Sequence, residues 1–167
     1  MRKDIIFGVD QSFSSTGLSI KNRITGDSIE LSIMRSGKHL DWFDRAESIA
    51  KGIVSIAEGY SEPILVLEGL PFGNLPGNSG KNLAGLQFVI ITKWRAVQGE
   101  GRDFIVAPTA LKKFATGSGK AAKDDMVYAL PTDIQSEVRA QPKSKGRHDL
   151  ADAWWLSEYY IREIYSE

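Results

Sequence analysis

Two short apolar runs, each closed by an acid, constrain this chain more than anything else in it. "DIIFGVD" spans residues 4–10 and "PILVLEG" spans residues 63–69. Both are too short for a buried helix and carry no polar alternation, which predicts strands covered on both faces, as in the parallel part of an α/β sheet. Parallel sheets collect their ligands at the carboxyl ends of the strands. Asp10 and Glu68 stand at those ends.

The elements between and around the two runs supply the rest of the architecture. "TGLSIKN" and "DSIELSIMR" alternate apolar and polar residues, with Asn22 and Gly26-Asp27 as turn signals, so three strands joined by hairpins open the chain. In "DWFDRAESIAKGIVSIAEGY", Phe43, Ala46, Ala50, Ile53, Ala57 and Tyr60 recur at three or four residues, the stripe of a helix with Asp41 as its N-cap. "LPFGNLPGNSG" reads as a loop and "KNLAGLQFVIITKWRAVQG" as a long helix ending near Gly99. "DFIVAP" predicts a fifth strand, stopped by Pro108. "TALKKFATG" starts a helix that breaks at Gly117 and Gly119, "AAKDDMVYAL" resumes it, and a last helix runs over about residues 148–165. Residues 131–147 are polar with two prolines and are expected to form a mobile surface loop. There is no internal repeat.

The resulting order, β-β-β-α-β-α-β-α-α, predicts one α/β domain over residues 1–167. Its mixed five-stranded sheet would have three antiparallel strands followed by parallel ones, with helices on both faces. That is the order of the ribonuclease H-like fold. The 167 residues and 42% hydrophobic content suit a single core of this kind. The absence of cysteine excludes a disulfide framework and a thiolate metal site. No apolar run reaches the roughly 20 residues of a membrane span, so no membrane partner is expected. The segment "MRKDIIFGVD" meets an acid too early for a secretory signal, and a cytoplasmic location is the expectation.

In this topology strands one and four are parallel neighbours, so Asp10 and Glu68 emerge at one edge of the sheet. The last helix opens with "RHDLADAWWL", where Asp149 and Asp152 are three residues apart and share one side of the helix. Laid across the same edge, that helix would bring four carboxylates together. Like charges so placed raise one another's pKa, and a divalent cation removes the conflict. Oxygen ligands without cysteine point to Mg²⁺ or Mn²⁺. Each acid also has a plainer reading: Asp10 as the start of a turn, Glu68 as a strand-end acid facing water, Asp149 and Asp152 as partners of the helix dipole. The pattern of two strand ends plus an i, i+3 pair is more specific than any of its members.

Net charge is zero, yet the charge is unevenly placed. Residues 107–147 hold Lys112, Lys113, Lys120, Lys123, Arg139, Lys143, Lys145 and Arg147 against four acids, whereas residues 148–167 hold five acids and one arginine. A basic stretch beside an acidic helix suits a phosphate-bearing partner next to a metal site, or simply a solvated surface.

"IIFGVDQSFSSTGLSI", "ILVLEGLPFG", "VAPTALKKFATGSGKAAKDDM" and "HDLADAWWLS" resemble, in order and spacing, the motifs of RuvC-type Holliday junction resolvases, over nearly the whole chain. The compact size and divergent loops look more like a phage-encoded member, which would act in the host cytoplasm. The resemblance implies that Asp10, Glu68, Asp149 and Asp152 are the catalytic and metal-binding acids, holding two Mg²⁺ ions for which Mn²⁺ can substitute. It implies a homodimer that binds a four-way DNA junction and cuts two strands symmetrically. Lys112 and Lys123 match the phosphate-contacting lysines, and Lys113 and Lys120 from the same stretch join them as candidate DNA contacts. Phe72 is the candidate wedge aromatic for the crossover, one residue further from Glu68 than the family spacing. Some members carry His at the position of Asp149; here His148 precedes it and is a candidate auxiliary to metal or phosphate.

Three rivals stand beside this reading. "GVDQSFSSTG" also resembles the phosphate loop of actin-like ATPases and sugar kinases, which need a second such domain, so no nucleotide cofactor is expected. A non-catalytic junction-binding module would not need the four acids. A nuclease of the same fold acting on flaps, forks or RNA–DNA hybrids remains open, because substrate choice lives in loops and dimer geometry.

Overall fold

A computed structural model describes residues 4–71 and 78–165. The chain runs β1 (Ile5–Asp10), β2 (Thr16–Asn22), β3 (Ser28–Met34), α1 (Trp42–Ala57), β4 (Ile64–Glu68), α2 (Ser79–Gln98), β5 (Asp103–Val106), α3 (Pro108–Thr116), α4 (Lys123–Tyr128), α5 (Thr132–Ala140) and α6 (Arg147–Tyr159). A 3₁₀ turn (Lys143–Lys145) precedes α6 and a π-helical turn (Tyr160–Ile164) follows it. The strands lie in the order β3-β2-β1-β4-β5. β1 pairs antiparallel with β2 and parallel with β4, and β4 pairs parallel with β5. Val9 is in register with Leu67, so Asp10 and Glu68 follow side by side.

Strand periodicity divides the core in two. Ile5, Phe7 and Val9 of β1 pack with α1 and α2 on one face, through Ile49, Ile53, Leu86, Ile90 and Trp94. Ile6 points the other way, into a second cluster with Val66, Leu111, Met126, Val138, Leu150, Trp154 and Trp155 from the α3–α6 side. The sheet is therefore covered on both faces, which is why β1 and β4 carry no polar alternation. Asp41 caps α1 by accepting from the Asp44 N–H at 2.8 Å.

Two glycines set how α6 lies on the sheet. A Cβ on Gly8 would collide with the Ala153 carbonyl oxygen, and one on Gly17 with the Asp149 carbonyl oxygen. Only glycine lets the helix backbone rest directly on β1 and β2. Trp154 and Trp155 are 3% and 7% exposed and complete the anchor. The Trp155 indole donates to the Met126 carbonyl at 2.9 Å. At the far end of the same contact, Lys21 of β2 forms a buried ion pair with Glu158, which also accepts from Arg162 at 2.7 Å.

Two expectations are corrected. Residues 131–147 are not a loop: Thr132–Ala140 form α5, and Lys143–Lys145 the 3₁₀ turn. Pro131 begins the helix without sacrificing a hydrogen bond. Buried Val138 and half-buried Ile134 pack it down, and the Arg147 guanidinium ties off the Arg139 and Gln141 carbonyls. A face this narrow is hidden in an otherwise polar sequence. Phe43, placed on the buried stripe of α1, is 85% exposed.

Candidate active site

The carboxyl ends of β1 and β4 form the floor of a cleft of about 640 Å³. Asp10, Glu68, Asp149 and Asp152 all line it, together with Lys112 and Lys123. The two strands deliver the first pair of acids by register alone. The second pair arrives because Gly17 lets the first turn of α6 settle over β2, and Ser15 then donates its hydroxyl to the Asp149 carboxylate. Gly146, with φ +100° and its α-carbon pressed against Ile33, makes the sharp entry into the helix.

The Glu68 end of β4 is fixed through its backbone. Its carbonyl oxygen accepts from the Gln11 amide at 2.9 Å and from the Gln87 amide of α2 at 2.8 Å. The next amide, Gly69 N–H, donates to Val106 of β5 at 2.7 Å. Gln11, which borders the cleft, is almost fully buried, and its Oε1 is a buried oxygen with no hydrogen-bond partner among the described residues.

Burial and mutual repulsion dominate the electrostatics. The Asp10 carboxyl is held well above the usual carboxylate range, first by burial and then by Asp152, Glu68 and Asp149, with Lys123 opposing. Asp152 is pushed up to about 7 by burial, Glu68 and Asp149, against the pull of Lys123 and Lys112. Glu68 is raised by burial and lowered again by the two lysines. Such a cluster costs stability in the bare protein, the usual mark of a functional site.

Among the described residues, no group of three or more His, Cys, Asp or Glu side chains by itself closes into a metal-binding geometry. The four carboxylates share a cleft without converging on a single point. As a donor set they still suit a hard cation: four acidic oxygen ligands, a buried unpartnered amide oxygen at Gln11 and no sulfur.

Other sequence candidates fall elsewhere. His148 does not line the cleft; its Nε2 is 2.8 Å from the Asp124 carboxylate, which Lys143 also contacts at 2.6 Å. Lys120 borders a separate shallow depression with Ser118 and Tyr128, and exposed Lys113 is not part of the cleft lining. Phe72 lies outside the described residues. Sequence reasoning missed Gln11, Gln87 and Ser15, which orient the acids. The signal available was Gln11 directly after Asp10, and glycines inside two strand patterns, which mark close backbone approach.

No protein-family model matches the chain, and no curated protein does. Solved structures do. Thermus thermophilus RuvC is 14% identical, with a TM-score of 0.66 over 95% of each chain. T. thermophilus RuvC in complex with a Holliday junction substrate is 15% identical, with a TM-score of 0.68 over 97% of this chain and 94% of that one. The yeast mitochondrial Holliday junction resolvase Ydc2 is 11% identical, with a TM-score of 0.66 over 96% of this chain and 79% of that one. The chain thus has the ribonuclease H-like fold of these proteins, as its element order predicts.

Proposed function

We propose that this chain is a metal-dependent endonuclease of the Holliday junction resolvase type, which binds four-way DNA junctions as a homodimer and opens them by paired nicks. One observation carries the reading: four acids from β1, β4 and α6 line a single cleft with two lysines, on a fold shared over nearly its whole length with a junction-bound RuvC.

Asp10, Glu68, Asp149 and Asp152 would hold the divalent cations, Mg²⁺ or Mn²⁺, whose chemistry is to lower the pKa of bound water and to neutralise charge on the leaving oxygen. The chain's own residues do the rest. Gln11 and Gln87 fix the end of β4, and Ser15 holds the Asp149 carboxylate, which limits how far these two acids must move to meet a cation. Lys112 and Lys123 bring positive charge to a cleft that would otherwise repel a phosphodiester. Two symmetric nicks need two such clefts. On α2, Leu86, Gln87, Ile90 and Trp94 are buried while Phe88 is 71% exposed, so this helix serves the core and Phe88 is where a second copy would meet it.

The test is a Mg²⁺-dependent cleavage assay on a mobile junction, a flap, a fork and a plain duplex, with products mapped. Paired, symmetric nicks in the junction support the proposal, and their loss in Asp10→Asn with junction binding retained assigns the acids. Preferential cutting of flaps or forks moves the reading to a related branched-DNA nuclease. Binding without any nicking reduces it to a junction-binding module.

A further inference from the structure

The cleft has a second wall that the acids and lysines do not explain. Phe13, in the β1–β2 loop, and Trp42, at the start of α1, meet edge to face with ring centroids 4.8 Å apart. The Arg45 guanidinium lies 5.0 Å from the Trp42 centroid and 5.4 Å from that of Phe13. It is clamped there by the Phe13 carbonyl at 2.6 Å and the Ser36 hydroxyl at 2.9 Å, while Ser36 itself donates to the same carbonyl at 3.0 Å. Phe13, Trp42 and Arg45 line the same cleft as Asp10 and Glu68. They come from the α1 side of the sheet, whereas Lys112 and Lys123 come from the α3–α4 side.

Two properties set this wall apart from ordinary packing. Trp42 is 51% exposed, although indole is among the costliest side chains to leave in water. Among the described residues Arg45 has hydrogen-bond partners but no carboxylate, so its charge is uncompensated beside an acidic cleft. A rigid, half-exposed indole with a locked guanidinium is a stacking platform with an anion contact attached. Inside duplex DNA both faces of each base are covered by its neighbours, so away from strand ends only an unpaired nucleotide offers a face to such a platform.

We propose that Trp42, braced by Phe13 and Arg45, stacks an unpaired base next to the phosphate held at the carboxylates, with Arg45 near that nucleotide's backbone. This would make the cleft selective for DNA at a strand crossover over uniform duplex. The inference rests on the nuclease reading above and names the substrate feature that the same cleft recognises.

Tryptophan fluorescence reads this contact directly. The chain has four tryptophans, of which Trp94, Trp154 and Trp155 are buried, so Trp42 is the one within reach of DNA or of acrylamide. The titrations use Asp10→Asn protein with a four-way junction, a single-stranded oligonucleotide and a duplex closed at both ends by non-nucleotide linkers. The expected result is quenching and protection from acrylamide with the first two and little change with duplex. Trp42→Phe should abolish the signal and keep most of the affinity. Trp42→Ala should bind junction about tenfold more weakly with duplex affinity unchanged. Quenching that persists in Trp42→Phe, equal quenching by the closed duplex, or wild-type junction affinity in Trp42→Ala overturns the proposal. A wild-type protein that nicks no DNA in Mg²⁺ overturns the nuclease reading instead, an outcome scored separately from the fluorescence.

Discussion

The backbone of Asp149 rests on the α-carbon of Gly17, with no room for a methyl group between them. This contact is one of those that seat on the sheet the helix carrying half of the acid set. Gly17→Ala should therefore do two things. Overpacking at such a site costs about 1–3 kcal/mol, visible as a lowered denaturation midpoint. Lifting α6 should also cut Mg²⁺-dependent nicking more than the stability loss explains. A variant that unfolds and cuts like the wild type would remove the glycine from the design.

The carboxylates should make metal-free protein sensitive to pH in a definite direction. Asp152, at about 7, and Asp10, held well above the usual carboxylate range by burial and its neighbours, bind protons more tightly folded than unfolded. Their favourable contribution is complete below the ordinary carboxylate range and is lost as pH rises through the folded values. In EDTA the melting temperature should fall between about pH 4 and 7, and Asp152→Asn should flatten that fall. Added Mg²⁺ should raise the melting temperature most at the alkaline end, by binding only the folded, ionised site. Equal Mg²⁺ effects at pH 5 and pH 8 would argue against a carboxylate metal site.

Lys112→Ala and Lys123→Ala should each weaken junction binding and reduce the salt dependence of affinity by about one unit of slope. Lys113→Ala and Lys120→Ala, whose side chains do not line the cleft, should change neither by as much. Binding isotherms across a salt series decide this.

His148 turns toward Asp124, whose carboxyl its hydrogen bond and that of Lys143 hold down at about 2. His148→Gln should leave Mg²⁺ affinity and nicking within a fewfold of wild type. A large loss of metal affinity, measured by calorimetry, would restore a direct role at the acids.

At the other end of α6, Glu158 answers both Lys21 and Arg162. Burial lowers the Lys21 pKa, and Glu158 counters it. Glu158→Gln strands a buried ammonium and should cost about 3–5 kcal/mol. Lys21→Met should cost less, because Glu158 keeps Arg162. The reverse ranking in urea denaturation would show that the pair is not what holds this end.

Strand order and the pairing of Asp10 with Glu68 were legible because two-sided burial leaves an unmistakable mark: two acid-terminated apolar runs. The i, i+3 spacing of Asp149 and Asp152 was equally plain. Helix α5 was hidden because its buried face is little more than Val138 and Ile134. The direction of His148 depended on Asp124, 24 residues earlier, and no local pattern encodes such a partner. The Phe13–Trp42–Arg45 wall was concealed for a similar reason: Trp42 looked like the first residue of an amphipathic helix until the β1–β2 loop folded against it.

Helix α6 has a consequence for how the molecule comes into being. β1 and β4 together supply only Asp10 and Glu68, while Asp149 and Asp152 join them when the last helix settles onto Gly8 and Gly17. On the proposed nuclease reading, a chain whose final helix is undocked holds only half of the acid set and would not cut DNA. Docking of α6 would in this way act as a safety catch: the two pairs of acids share the cleft only while the helix lies on the sheet.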